Sequence, residues 1–131
     1  MKAPATLQAA YNEAHRARQA LLERGELVSP DAMAKALKVT PRVLTTATQR
    51  GRLFSVDHAG VTLYPRFLAD PSLPRRTLGK VCEALGDLPG WEKLRFFTTP
   101  KLSLQRKTPL EALREGKLGC VLVAAAGRAE R

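Results

Sequence analysis

Apolar residues recur at helical spacing along most of this chain, and capping residues divide them into short helices. The first run covers residues 6–24 and carries apolar side chains on one side, at Leu7, Ala10, Tyr11, Ala14, Ala17, Leu21 and Leu22. Its other side is polar, with His15, Arg16, Arg18 and Gln19. Gly25 is suited to end this helix in a left-handed conformation. The pattern predicts a long first helix that buries its apolar side and exposes its polar side.

Two helix starts of the same kind follow. Ser29-Pro30 and Thr40-Pro41 each place a hydroxyl residue before a proline, a combination typical of an N-cap and a first helical position. The helix after Ser29 is predicted to have an apolar stripe at Ala32, Ala36 and Leu37, with Met33 at its edge. Lys38-Val39 then forms a turn, and a second helix runs from Pro41 to about Arg50, where Gly51 ends it.

The pattern then changes to short strands. Residues 53–56 and 61–64 are rich in residues that favour strands, and they flank the turn-rich sequence Asp57-His58-Ala59-Gly60. This arrangement predicts a β-hairpin.

Further helices are predicted in the second half, at residues 76–85, 91–97 and 118–126, with a loose tail at 127–131. The first of these turns Leu78, Val81, Cys82 and Leu85 inward. Thr108 and Glu111 have the spacing of a capping box, so a short helix is also predicted after Thr108.

These elements predict a mainly α fold, in which a helix-turn-helix with a small β-hairpin wing precedes a C-terminal helical module. The predicted segments are an N-terminal helix at residues 1–26, the helix-turn-helix with its hairpin at 27–68, and the helical module at 69–131. With 131 residues, of which 44% are apolar, the chain suits one compact domain or two small modules.

The charge of the chain narrows the choice of partner. There are 22 Lys and Arg residues against 12 Asp and Glu, a formal net charge of +10. This excess favours a polyanionic partner through Coulomb attraction and counterion release. A protein that is basic without such a partner is the alternative.

Residues for catalysis or metal binding are sparse. His15 and His58 are the only histidines and stand apart from any cysteine or carboxylate motif, so both are expected to be solvated. Cys82 and Cys120 form no CxxC pair, and two buried reduced thiols are expected. The sequence has no glycine-rich phosphate loop, zinc spacing, signal-peptide core or membrane-spanning run. We therefore expect a cytoplasmic protein that is not an enzyme and uses no cofactor or metal.

The second helix of the predicted helix-turn-helix separates its residue types by side. Leu44, Val43 and Ala47 share an inward side, whereas the outward side collects Arg42, Thr45, Thr46 and Gln49 at helical spacing. Arg suits guanine, Gln suits adenine, and Thr can contact a thymine methyl group. Such proteins place this helix in the major groove of DNA, and open amides near its N-terminus can hold a phosphate.

The predicted DNA-binding residues are Lys38, Thr40, Arg42, Thr45, Thr46, Gln49, Arg50 and Arg52. The hairpin would follow the DNA backbone, with Arg52 and His58 near phosphates. A helical hairpin with a solvated polar side is the alternative interpretation.

The C-terminal half contains the most specific motif, in the run GWEKLRFFTTPKLSLQRKTPLEALREGKLGCVLVAAA. It resembles the toxin-binding domain of the Xre/MbcA/ParS family of bacterial antitoxins. The features shared with that family are Trp91, Phe96-Phe97, Thr99-Pro100, Leu104, Thr108-Pro109-Leu110, Leu113, Gly116 and the apolar residues 121–126. The upstream GRLFSVDHAGVTLYPRFL also resembles a segment that precedes this domain, so the resemblance covers about residues 27–127.

The resemblance implies a function in a toxin–antitoxin pair. Antitoxins of this family cover the active-site cleft of a RES-class toxin, which consumes NAD or transfers parts of it, and the complex represses its own operon. The matching toxin-binding surface here would involve Trp91, Phe97, Leu104, Leu110 and the terminal helix with its tail, including Arg128 and Arg131. The alternative for Trp91, Phe96, Phe97, Leu110 and Leu113 is a place in the core.

Two other functions stay open. One is a DNA-binding transcriptional regulator without a toxin partner, whose C-terminal helices serve dimerisation. The other is a scaffold whose basic charge is incidental. A homodimer is expected in the DNA-binding cases, because symmetric helix-turn-helix proteins meet two half-sites about one helical turn apart.

Overall fold

The computed structural model describes residues 2–130, with side chains from Leu7 onward. Seven α-helices and two 3-10 turns within these residues together make the chain 63% helical, and they accompany a small antiparallel sheet of three strands. The predicted mainly α class is confirmed. No helix within residues 2–130 has both the length and the apolar character needed to span a membrane.

The elements follow one another along the chain with short connections. The helices are α1 (Lys2–Glu23), α2 (Pro30–Leu37), α3 (Pro41–Gln49), α4 (Arg75–Ala84), α5 (Gly90–Thr98), α6 (Pro109–Arg114) and α7 (Leu118–Ala129). The strands are β1 (Leu27–Val28), β2 (Val56–His58) and β3 (Val61–Pro65). Two 3-10 turns lie at Arg66–Ala69 and Leu102–Leu104.

The predicted helix starts are confirmed by their caps. The Ser29 hydroxyl accepts from the Ala32 N–H at 3.1 Å, and the Thr40 hydroxyl accepts from the Val43 N–H at 3.2 Å. Thr108 and Glu111 form both hydrogen bonds of the capping box. Between α2 and α3, Lys38 takes the left-handed conformation with φ 59°, which makes the turn between the two helices tight.

The second predicted strand is confirmed as β3, whereas the first strand of the hairpin lies later in the chain than predicted. β2 pairs with β3 from Val56↔Leu63 to His58↔Val61, so the predicted strand at 53–56 is wrong. Leu53 and Phe54 are apolar because they are buried after α3, not because they pair in a sheet. β1 pairs with the other edge of β3 and was not predicted, since two residues show no periodicity.

One hydrophobic core joins the residues of the predicted segments 27–68 and 69–131. Phe54 stacks on Phe97 of α5 with ring centroids 5.9 Å apart, and Phe67 lies 5.2 Å from Phe97. The inward set of α4 is confirmed, because Leu78, Val81, Cys82 and Leu85 are all fully buried. The two predicted segments are therefore held against each other by direct packing.

The prediction for the two sides of α1 is confirmed for Leu21 and Leu22, which pack against the core, and wrong for the residues before them. Leu7 and Tyr11 are 71% and 70% exposed, and Ala10, Ala14 and Ala17 are exposed as well. Gln19, from the polar side, is half-buried. The reason is that two polar residues of α1 make its tertiary contacts. Gln19 contacts His58 of the hairpin, and Arg18 contacts Trp91 of α5.

Three smaller predictions also need correction. In α2 the buried residues are Met33, Ala34 and Leu37, whereas Ala32 and Ala36 are exposed. A helix of only eight residues is too short for its apolar pattern to show which side faces the core. The helix α7 continues to Ala129, so the predicted loose tail is wrong up to that residue. Cys120 is exposed, whereas Cys82 is buried, and burial raises the pKa of the Cys82 thiol to about 12.

Candidate nucleic-acid interface

The outward side of α3 stands clear of the rest of the described chain. Arg42, Thr45 and Thr46 are exposed, and Gln49 at the last turn is exposed as well, whereas Leu44 is buried beneath them. α3 itself contains no acidic residue. The helix therefore presents a continuous polar surface that runs from its first turn to its last.

Two threonine hydroxyls on α3 are committed to hydrogen bonds within the protein. Thr45 donates to the Pro41 carbonyl at 3.0 Å, which leaves its methyl group and oxygen lone pairs for an outside partner. Thr48 donates to the Leu44 carbonyl at 2.9 Å, and its oxygen lies 2.8 Å from the Tyr64 hydroxyl. Because Thr48 has used its only proton, Tyr64 donates and ties α3 to β3.

The N-terminus of α3 offers fewer amides than expected. The Val43 N–H is taken by the Thr40 hydroxyl, and Pro41 has no N–H. The Arg42 amide remains as the donor of the first turn. A phosphate at this end would therefore depend mainly on side-chain charge.

The prediction that Val43 faces inward is wrong, because this side chain is 51% exposed. Val43 and Ala47 line a groove of about 680 Å³ between α3 and α4. The opposite wall carries Arg75, Arg76 and Lys80 of α4. The groove has an apolar floor and a mainly basic wall, to which Glu83 adds one acidic side chain.

The cations around this groove differ in their availability. The Arg75 guanidinium donates to the Leu37 carbonyl at 2.8 Å, so Arg75 holds α4 against the C-terminus of α2. Arg52 lies 3.6 Å from Glu83, and both side chains are more than half exposed. Among residues 2–130, neither Arg76 nor Lys80 forms an ion pair, and the same holds for Arg42.

Arg76 and Lys80 were missed from the sequence, although a signal existed. They lie four residues apart on the side of α4 opposite to its buried leucines, which helical periodicity alone would show. What the sequence did not show is that this side adjoins α3.

His58 does not lie where a phosphate contact was expected. It is buried, and its Nε2 lies 2.9 Å from the Gln19 side-chain oxygen, to which it donates. Its ring centroid lies 4.9 Å from that of His15 and 6.4 Å from that of Trp91. The expectation of a solvated His58 is wrong, because α1 and α5 cover the end of the hairpin.

The predicted toxin-binding residues fall into two groups. Phe97, Leu104 and Leu110 are buried, and so are Phe96 and Leu113. Trp91 and Arg128 are half-buried at the surface. The Trp91 indole N–H donates to the Asp57 carbonyl at 2.9 Å, and Arg128 pairs with Glu92 at 2.7 Å. Arg131 lies outside the described residues.

Two exposed apolar residues lie at or beside α7, the terminal helix of the predicted toxin-binding surface, and of these Leu102 was not predicted as a contact. Leu102 is 82% exposed and Val123 is 76% exposed, and both line a groove of about 710 Å³ beside Cys120. Val121 and Ala125 are buried on the other side of α7. Their four-residue spacing would have placed Val123 on the outside.

Comparison with protein-family models, curated proteins and solved structures finds no match to this chain. The resemblance to the antitoxin family rests on the motif residues named above.

Proposed function

We propose that this protein is an antitoxin that binds operator DNA through α3 and neutralises a toxin through its C-terminal helices. The observation that carries the DNA-binding part is the exposed side of α3. It combines Arg42, Thr46 and Gln49 with the absence of any acidic residue in the helix. A helix of this composition suits the major groove, where Arg reads guanine and Gln reads adenine.

The phosphate contacts in this proposal come from both sides of α3. Lys38 and Arg50 flank its two ends, and Arg76 and Lys80 line the groove beside it. A strand of the DNA backbone lying along the groove would meet both charges of α4. Its sugar C–H groups would meet the apolar floor at Val43 and Ala47. Arg52 contributes less, because Glu83 already compensates part of its charge.

The toxin-binding part is supported by the sequence resemblance and by accessible side chains near α7. Trp91 and Arg128 remain candidate contacts, and the exposed Leu102 and Val123 add an apolar surface that a protein partner could bury. Phe97, Leu104 and Leu110 support this surface from within the core. The partner that the resemblance implies is a RES-class toxin, and both proteins would act in the cytoplasm.

A transcriptional regulator without a toxin is the second candidate. In that case another copy of this chain, and not a toxin, would cover the exposed pair Leu102 and Val123.

DNA binding is tested by fluorescence anisotropy with the duplex that lies upstream of the gene, and with a mixed-sequence duplex of equal length. We expect tighter binding to the upstream duplex, and affinity that falls steeply with salt for both. No measurable binding to either duplex at low salt would refute the proposal.

The toxin is tested by co-expression with the product of the adjacent gene, followed by purification through a tag on this chain. We expect a stable complex in which the toxin no longer consumes NAD. A regulator without a toxin would bind the upstream duplex equally well but would retain no gene product and relieve no toxicity.

A further inference from the structure

The groove between α3 and α4 is more apolar than a contact with the DNA backbone requires. Its volume of about 680 Å³ falls in the range of roughly 300–1,000 Å³ that is usual for small-molecule sites. The apolar side chains that line it are Leu37, Val39, Val43, Leu44, Ala47 and Leu53. Leu37, Leu44 and Leu53 are buried, so they form the bottom of the groove. The DNA backbone carries a charge on every phosphate and would leave this bottom unfilled.

The other side chains of the groove restrict the kind of small molecule that can bind. Among the described residues that line it, none has an aromatic ring, a hydroxyl group or a side-chain amide. A planar ring would therefore find no ring to stack on, and a sugar or a peptide would find no neutral side-chain partner for its polar groups. The lining suits an aliphatic chain that carries its polar atoms at one end.

The charged residues of the groove define where that polar end would lie. Arg75 and Arg76 belong to the first turn of α4, and Lys80 follows one turn later. Near the other end of α4, Glu83 lies 3.6 Å from Arg52, so these two charges compensate each other. The uncompensated positive charge is therefore concentrated at one end of the groove, whereas the opposite end is nearly neutral.

No acidic partner compensates the positive end within residues 2–130, where Arg75, Arg76 and Lys80 form no ion pair. Arg76 and Lys80 lie four residues apart on α4, a spacing at which like charges destabilise a helix. The first turn of α4 also lacks an acidic residue, although the helix dipole favours negative charge at this end. A bound anion would relieve both effects, so the charge of the groove is complementary to an anionic ligand.

Gly79 keeps the α4 wall of the groove free of a side chain. It lies within the helix, where glycine is less stable than alanine. A Cβ atom at this position would meet only atoms of Arg52, the nearer one at 3.8 Å, so close packing does not require glycine either. The structural consequence of Gly79 is therefore the space that it leaves in the groove.

We propose that the groove between α3 and α4 binds a free aliphatic carboxylic acid of medium chain length. The carboxylate would lie at Arg76 and Lys80, and the chain would cover Leu44 and Leu53. The stretch of α4 from Arg76 to Glu83 is about 10 Å long, because a helix rises by roughly 1.5 Å per residue, and this length limits the chain that the groove can hold. A phospholipid would keep its chains in the bilayer and leave the apolar bottom empty, so the groove favours a free acid over a membrane.

The inference about this ligand does not depend on DNA binding. Its consequence for DNA rests on the proposed function, because the same cations would hold the DNA backbone. A carboxylic acid bound at Arg76 and Lys80 would compete with a DNA phosphate for both charges. The acid would then release the protein from its operator, and the groove would be the site of a small-molecule effector.

Isothermal titration calorimetry with sodium decanoate, below its micelle concentration, tests the ligand directly. We expect saturable binding of one decanoate per chain. Acetate has the same head without the chain, and decyltrimethylammonium has the same chain with a positive head, so neither should bind. Arg76→Gln with Lys80→Gln should weaken decanoate binding about tenfold, since a charge-assisted hydrogen bond is worth about that factor. The charge-matched control Arg95→Gln with Arg106→Gln, at two exposed sites, should bind decanoate as the unchanged chain does.

Two further variants test the apolar part of the groove. Val43→Asp places a negative charge beside the chain, and Gly79→Leu fills the space beside α4, so both should abolish decanoate binding. Val43 is 51% exposed, so its substitution should leave the circular dichroism unchanged and decides the question even if Gly79→Leu does not fold. The matched control Val123→Asp, at an exposed position of α7, should bind decanoate normally.

The absence of decanoate binding would overturn the inference, as would equal binding of decyltrimethylammonium or equal decanoate binding by the Val43→Asp and Val123→Asp variants. Binding to phosphatidylglycerol vesicles without decanoate binding would assign the groove to a membrane instead. In the anisotropy measurement, saturating decanoate should weaken binding to the upstream duplex. Decanoate binding by a chain that binds neither duplex would support the ligand site and refute the proposed function only.

Discussion

The Tyr64 hydroxyl lies 2.8 Å from the Thr48 hydroxyl, and through this contact the central strand β3 holds the candidate recognition helix α3. Tyr64 is buried, and Thr48 is half-buried. Removing the Tyr64 hydroxyl with Tyr64→Phe should lower the free energy of unfolding by about 1 kcal/mol, the usual contribution of one such hydrogen bond. Urea denaturation measures this change. The control Tyr11→Phe should have no effect, because Tyr11 is exposed, and equal losses in both variants would contradict the assignment.

Substituting the outward residues of α3 should weaken DNA binding without affecting the fold. Arg42→Ala and Gln49→Ala are each expected to cost roughly 1–3 kcal/mol in binding to the upstream duplex, the value of a well-made base contact. Both side chains lie on the outward side, so the melting temperature should not change. Arg95→Ala, at an exposed site on α5, is the control. Unchanged affinity in both α3 variants would remove α3 as the recognition helix.

The basic wall of α4 should contribute phosphate contacts that are independent of sequence. The double variant Arg76→Gln with Lys80→Gln should reduce the slope of log affinity against log salt by about 1.8, since each phosphate contact contributes about 0.9. The loss should be similar for the upstream and the mixed-sequence duplex. A charge-matched control, Arg95→Gln with Arg106→Gln, should leave the slope closer to that of the unchanged chain. If both double variants reduce it equally, only the net charge matters.

Asp70 should make stability depend on pH in the acid range. Arg114 donates to this carboxylate at 2.8 Å, and with the Ser72 amide and hydroxyl it lowers the pKa of Asp70 from 3.8 to about 2. Because the folded state holds the ionised form, this stabilisation is complete above about pH 4 and is lost as the pH falls towards 2. Asp70→Asn should therefore cost on the order of 1 kcal/mol at pH 7, after allowance for solvent screening, and almost nothing near pH 2.

Urea titrations at the two pH values measure the difference between Asp70→Asn and the unchanged chain. Asp87→Asn is the matched control, because Asp87 is exposed and forms no ion pair within the described chain. A loss for Asp70→Asn that is the same at both pH values would show that the carboxylate charge is not responsible.

Gly90, the first residue of α5, should tolerate no side chain. A Cβ atom there would overlap the Ser55 carbonyl oxygen, which belongs to the segment before β2. Gly90→Ala should therefore lower the free energy of unfolding by roughly 1–3 kcal/mol, the usual cost of overpacking. In contrast, Gly127→Ala in α7 meets no atom within 4 Å and should stabilise the helix by roughly 0.5–1 kcal/mol. Thermal unfolding compares the two variants, and equal melting temperatures would contradict the close approach.

Local chemistry made the helix starts predictable. Each N-cap hydroxyl accepts from an amide only three residues further on, as seen at Ser29, Thr40 and Thr108. A few neighbouring residues therefore specify each cap. The same holds for the exposed polar side of α3 and the buried side of α4, since both follow from spacing within one helix. Helical spacing was therefore enough to identify the candidate DNA-binding residues on α3.

Relations between distant segments could not be obtained in this way. Arg76 and Lys80 join the candidate interface because α4 packs into the common core beside α3, where Arg75 also binds the end of α2. Arg18 and Gln19 of α1 are docked, although both belong to its polar side, because Trp91 and His58 lie beneath them. Leu53 and Phe54 are buried in the core, and their apolar character does not reflect a strand.

The sequence by itself thus determined where each helix begins, which class of fold results and which side of α3 is polar, because these depend on hydrogen bonds and periodicity within about one turn of helix. The tertiary structure alone decided which exposed surfaces adjoin, which aromatic residues are buried and which side of α1 remains uncovered. These outcomes depend on contacts between residues that are far apart in the chain, and their energies are settled only when the whole core packs.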